Sequence, residues 1–77
     1  MSKKLSGIKP TEVRRLLREL GFVQIPGRGK GSHEQYRNPE TGRWTVLSWK
    51  HDVVPTGTLR RIIENIGLTT EEFLRRI

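Results

Sequence analysis

A small α+β domain of order α-β-β-β-α is the fold class that this sequence predicts. Two apolar stripes of helical spacing stand towards the two ends of the chain, and three short β-type runs broken by glycine- and proline-rich turns lie between them. Helices covering one face of a three-stranded antiparallel sheet, with a short C-terminal helix added, satisfy that order. The chain has 77 residues, so a single domain over 1–77 is expected. Such a chain buries only about 60% of its unfolded surface and has a thin core. Leu, Ile, Val and Phe supply 21 of the 77 residues, which lies above the roughly 20% below which chains stay disordered.

Residues 1–8 read as a flexible basic lead-in. From Pro10 the pattern turns helical, with Val13, Leu16, Leu17 and Leu20 forming one stripe. Pro10 suits a first turn, Glu12 suits the positive end of the helix dipole, and Gly21 is a natural stop. Phe22 to Ile25 is a short strand ending at Pro26. The loop Gly27-Arg28-Gly29-Lys30-Gly31 follows, then a second strand from Ser32 to Arg37. Asn38-Pro39-Glu40-Thr41-Gly42 is a dense turn signal, and Arg43 to Trp49 is the returning strand of a hairpin. Leu59, Ile62, Ile63 and Ile66 repeat the helical stripe, with Thr56 as its expected cap and Gly67 as its stop. Thr69 to Glu72 forms a capping box that opens the last helix, carrying Phe73, Leu74 and Ile77.

The charge narrows the function. Fifteen Lys and Arg against eight Asp and Glu leave a formal net charge of +7, and ten of those cations are Arg. Such an excess points to a polyanion, with nucleic acid foremost and an acidic protein as the alternative. With no cysteine, a disulfide scaffold, a thiolate zinc site and a cysteine nucleophile are excluded. No apolar run approaches the roughly 20 residues of a membrane span, so a soluble cytoplasmic protein is expected.

His33 and His51 are the only histidines, and each precedes an acid. Neighbours on a strand point to opposite faces, so His33 and Glu34 could not grip one ion, and no metal site is expected. The glycine loop has neither the Walker spacing nor the dinucleotide fingerprint, so no cofactor is expected either. Its amides, with Arg28, Lys30, Gly31 and Ser32, could instead touch a nucleic-acid phosphate. Strand alternation places His33, Gln35 and Arg37 on one face and Ser32, Glu34 and Tyr36 on the other. If Tyr36 packs against the helices, His33 and Arg37 emerge on the open face. RNA carries its own nucleophile, the 2′-hydroxyl, so a metal-free ribonuclease needs only a proton acceptor, a proton donor and cations. Of Tyr36, Trp44 and Trp49, two are expected in the core and one is free to stack on a base.

Two readings compete with a nuclease. One is a non-catalytic RNA-binding module of the same fold. The other is a DNA-binding helix-turn-helix running from Leu59 through Gly67 to the last helix. The front of that last helix is Glu71-Glu72, which DNA would repel.

Leu20-Gly21-Phe22, then Gly31-Ser32-His33 with Tyr36, then Pro55-Thr56-Gly57-Thr58-Leu59, then Ile66-Gly67-Leu68-Thr69 with Glu71-Glu72-Phe73 stand in one order along the chain. In this order the sequence resembles the HicA family of toxin ribonucleases, the mRNA interferases of HicA–HicB toxin–antitoxin pairs. The resemblance covers Lys9 to Phe73. It implies a fold similar to the double-stranded RNA-binding domain, cleavage of mRNA with His33 as the catalytic residue, and a HicB-like antitoxin as partner. Many members carry a second His at the position of Trp49. His51 lies two residues on and would point the same way if the strand continued, which makes it the candidate second acid or base.

Overall fold

The first helix starts at the proline that can occupy a first turn without losing a hydrogen bond. In the computed structural model, which describes residues 4–27 and 31–77, α1 spans Pro10–Glu19. Glu12 accepts from the Lys9 N–H at 3.4 Å, and Val13, Leu16 and Leu17 are buried. Helix α2 spans Thr56–Asn65 and buries Leu59, Ile62 and Ile63. Thr56, expected as its cap, is instead its first residue. Extended Pro55 takes the cap position and its carbonyl accepts from the Leu59 N–H at 2.9 Å. Helix α3, Thr70–Arg76, opens on the expected box. Thr69 N–H donates to Glu72 Oε1 at 2.9 Å, and Glu72 N–H donates to Thr69 Oγ1 at 3.1 Å.

The three strands form one antiparallel sheet in chain order, β1 Val23–Gln24, β2 His33–Arg37 and β3 Trp44–Ser48. β1 is shorter than the expected run at its start, where the Phe22 N–H donates to the Leu17 carbonyl of α1 at 2.8 Å and not to a strand. The β2–β3 hairpin closes through Asn38, whose Oδ1 accepts from the Glu40 N–H at 2.9 Å. Its Nδ2 donates to the Leu20 carbonyl at the end of α1 at 3.2 Å. One side chain thus ties the hairpin to the helix.

Strand alternation decides which sheet face the helices cover. Tyr36 on β2 and Thr45 and Leu47 on β3 share one face, and all three are fully buried. Against them pack Leu16 and Leu17 of α1, Leu59 and Ile62 of α2, and Phe73 of α3. Burying each such side chain contributes roughly 1.5–3 kcal/mol relative to leaving it in water. The C-terminal end of α2 is clipped to β3 as well. Asn65 Nδ2 donates to Thr45 Oγ1 at 3.2 Å, and Arg43 Nη1 donates to the Asn65 carbonyl at 3.3 Å.

The lead-in departs from expectation. Leu5 and Ile8 are buried in the core, and the Ile8 carbonyl accepts from the Val54 N–H at 2.7 Å, so these two residues tie the segment down while Lys4, Ser6 and Gly7 between and beside them are exposed. The remainder of that segment, residues 1–3, lies outside the described residues. Among the described residues, no helix is long and apolar enough to cross a membrane.

Candidate active site

The face of the sheet away from the helices is set by the same alternation. It carries His33, Gln35 and Arg37 of β2 and Trp44, Val46 and Ser48 of β3. Tyr36 does pack against the helices, and His33 and Arg37 are both exposed on the open face.

His33 is the first residue of β2. Gly31 just before it has φ +61°, a left-handed turn conformation that glycine adopts without penalty. Across the hairpin His33 stands directly opposite Ser48. The ladder runs one pair further, because the Trp49 N–H donates to the Ser32 carbonyl at 2.8 Å. The chain then leaves the strand at Lys50 and bends through His51 to Val53.

That bend shapes the site. A groove of about 520 Å³ runs along the outer side of β3, and its lining includes His33, Ser48, Lys50, His51, Thr58 and Arg61. Two histidines, a lysine and an arginine thus converge from β2, the β3–α2 connection and α2, and no Asp or Glu is among the lining residues. His51 joins His33 because the strand stops. Had β3 continued, His51 would have faced the helices like Trp49.

The structure separates other candidates. Arg37 is four strand positions from His33, about 13 Å along β2. It lines a different hollow, with Val23, Ile25 and Pro26 at the β1 edge. Ser32 is half-buried and its carbonyl is engaged by Trp49, while Gly31 is exposed. Arg28 and Lys30 lie outside the described residues.

Behind His33, on the helix side, a carboxylate serves as a hub. Glu34 Oε1 accepts from Tyr36 Oη at 2.8 Å and from Trp49 Nε1 at 2.7 Å. The Arg14 guanidinium lies 4.8 Å from the centroid of the Trp49 ring. Burial and the Glu34 carboxylate push the Tyr36 hydroxyl up to about 12. Tyr36 is therefore removed from proton transfer by both its orientation and its acidity. Glu34 is equally committed and faces away from the groove. Of the three polar aromatics, Tyr36 is core, Trp49 packs partly buried against the core, and Trp44 is 54% exposed on the open face.

Arg61, Lys50 and Ser48 were not singled out from sequence as members of one site. Arg61 carries a faint signal, since it directly precedes the buried Ile62 and Ile63 and so borders the apolar stripe of α2. Nothing local marks the other two.

The order of motifs that frame this groove has a counterpart among known families. The family model described as the HicA toxin of bacterial toxin-antitoxin matches residues 10–68. The chain belongs to the HicA toxin family. HicA toxins are generally ribonucleases held in pairs with a cognate antitoxin. The HicA match runs from the first residue of α1 to the break after α2, so it contains His33, His51 and Arg61 and leaves α3 outside. No curated protein matches the chain.

Proposed function

We propose that this chain is a metal-independent endoribonuclease that cleaves mRNA, with His33 as a catalytic acid or base, and that a cognate antitoxin silences it in the cytoplasm. The observation that carries this reading is the convergence of His33 and His51 on one groove with Lys50 and Arg61 and without a carboxylate.

In this scheme the RNA 2′-hydroxyl attacks the adjacent phosphorus. One histidine takes the 2′-proton, the bond from phosphorus to the 5′-oxygen breaks, and the other histidine protonates that leaving oxygen. The products are a cyclic phosphate and a 5′-hydroxyl end. One histidine cannot fill both roles in a single step, and the second supplies the missing one. Lys50 and Arg61 offset the charge that builds on the phosphoryl oxygens. The Gly31-Ser32 turn, with Arg28 and Lys30, holds the flanking phosphate, and Arg37 contacts the strand further from the scissile bond. Trp44 gives a base somewhere to stack. DNA resists cleavage because it lacks the 2′-hydroxyl.

The deciding experiment compares wild type, His33→Ala and His51→Ala on labelled single-stranded RNA in EDTA, with the product ends analysed. Cleavage by wild type that leaves cyclic phosphate, and its loss in His33→Ala, is the expected result. Full activity in His33→Ala, or activity that EDTA abolishes, would overturn the scheme. RNA binding without cleavage by any of the three proteins would favour a binding module of the same fold.

A further inference from the structure

The two edges of the sheet are built differently. β1 has only two residues and runs into Pro26, so it offers a short and interrupted edge. β3 has five residues, Trp44-Thr45-Val46-Leu47-Ser48, with no proline and no charge among them. Its pairing phase follows from the bonds at its two ends, Asn38 N–H to the Arg43 carbonyl and Trp49 N–H to the Ser32 carbonyl, both 2.8 Å. Pairs alternate along an antiparallel ladder, so Thr45 and Leu47 turn their backbone groups to β2. Trp44, Val46 and Ser48 turn theirs outward. Among the described residues, no further backbone hydrogen bond engages those outward groups. They repeat every second residue, about 6.6 Å apart, which is the spacing a partner strand requires.

The space beside that edge is the groove described above, with β3 as one wall and Thr58, Arg61 and Asn65 of α2 as the other. We propose that this edge receives an extended acidic segment of a partner protein, which adds to the sheet as a fourth strand. Side chains of an added strand alternate between its two faces. Those on the open face meet Trp44 and Val46, which are 54% and 36% exposed, and those on the other face meet Arg61. The segment that fits therefore alternates apolar with acidic residues.

Two other occupants fit less well. A second copy of this chain would bring +7 against +7 and set its own Lys50 and Arg61 beside those of the first. RNA can meet the cations across the groove, but along the β3 edge its phosphates could accept only from the outward N–H groups and would leave the outward carbonyls without a donor. The inference rests on the part of the proposed function that gives the chain a protein partner, and it shares the groove of the catalytic reading, although neither proton transfer nor RNA enters it.

The test uses a capped peptide that alternates glutamate and valine, titrated into the isotope-labelled full chain and followed amide by amide. Saturable shifts centred on Trp44, Val46 and Ser48 are expected, with hydrogen exchange at those three amides slowed about tenfold. The same peptide N-methylated at alternate amides should lose that protection, and so should Val46→Pro, which removes only an outward donor. If Val46→Pro disturbs the fold, Val46→Lys replaces it as the variant that blocks the edge. Absence of binding at millimolar peptide, shifts centred elsewhere, or indifference to N-methylation would each overturn the proposal. So would concentration-dependent protection of these amides without peptide, which would mean a second copy occupies the edge. The titration contains no RNA and reads only the β3 amides, so a failure of the nuclease reading is scored separately, by the cleavage assay.

Discussion

Trp49 donates its indole N–H to Glu34 Oε1 at 2.7 Å, while its backbone N–H donates to the Ser32 carbonyl at 2.8 Å. Ser32 and Glu34 are the two neighbours of His33, so one residue of the returning strand fixes the catalytic candidate from both sides. Trp49 holds the position at which the family resemblance leads one to expect a second histidine. Here that position supports the site from beneath, and the second histidine of the groove is His51.

Replacing Trp49 by Phe keeps the ring and removes the indole donor. Glu34 then loses one of its two hydrogen bonds in a half-buried place, which should cost about 1–3 kcal/mol in urea unfolding. A positioning role predicts more than lost stability. With the variant fully folded, kcat on RNA should fall about fivefold at nearly constant KM, because the histidine is less well aimed. An unchanged kcat would reduce Trp49 to a packing residue.

Tyr36 is the only tyrosine in the chain, so its ionisation can be followed without interference from another phenol. Its hydroxyl is raised from 10.0 to about 12, first by burial and then by Glu34. The folded state therefore holds this proton more tightly than the unfolded state does. Stability attached to it is fully present below pH 10.0 and is lost as pH rises towards about 12. Thermal unfolding across that window should show the loss, and Tyr36→Phe should flatten it. A phenolate band that emerges near pH 10 in the folded protein would contradict the burial.

Gly67 ends α2 at φ +81°, and a Cβ built there would come within 2.9 Å of the Arg43 guanidinium. The side-chain contact is the lesser obstacle, since Arg43 can swing away at the loss of its bond to the Asn65 carbonyl. The left-handed backbone remains costly for alanine. Gly67→Ala should destabilise by about 1–2 kcal/mol, and most of that should persist in an Arg43→Ala background. Complete relief in the double variant would assign the whole effect to Arg43 instead.

Arg61 lines the groove, whereas Arg75, in the last turn of α3, does not. Arg61→Ala should weaken RNA binding and lower the slope of log affinity against log salt by about 0.7. Arg75→Ala should leave that slope nearly unchanged. Equal effects from the two would mean that RNA is held by diffuse charge alone.

Periodicity along the chain was enough to place α1, α2, the hairpin and the Thr69–Glu72 box, because each rests on local spacing and backbone sterics. The same alternation predicted that His33 and Arg37 would share the exposed face once Tyr36 was buried. That Leu5 and Ile8 join the core was hidden, since two apolar residues in a basic stretch carry no period.

The groove lay further still from anything sequence could reveal. His51 reaches it because β3 releases the chain after the Trp49–Ser32 pair, and Arg61 reaches it because Asn65 and Arg43 pin the end of α2 to β3. Arg37, which shares a face with His33, is set apart by the rise of an extended strand. Local sequence determines which face a side chain takes, since that follows from the backbone geometry of a few residues. Which side chains of different elements meet depends on where strands end and how helices are clipped, and only long-range packing decides that.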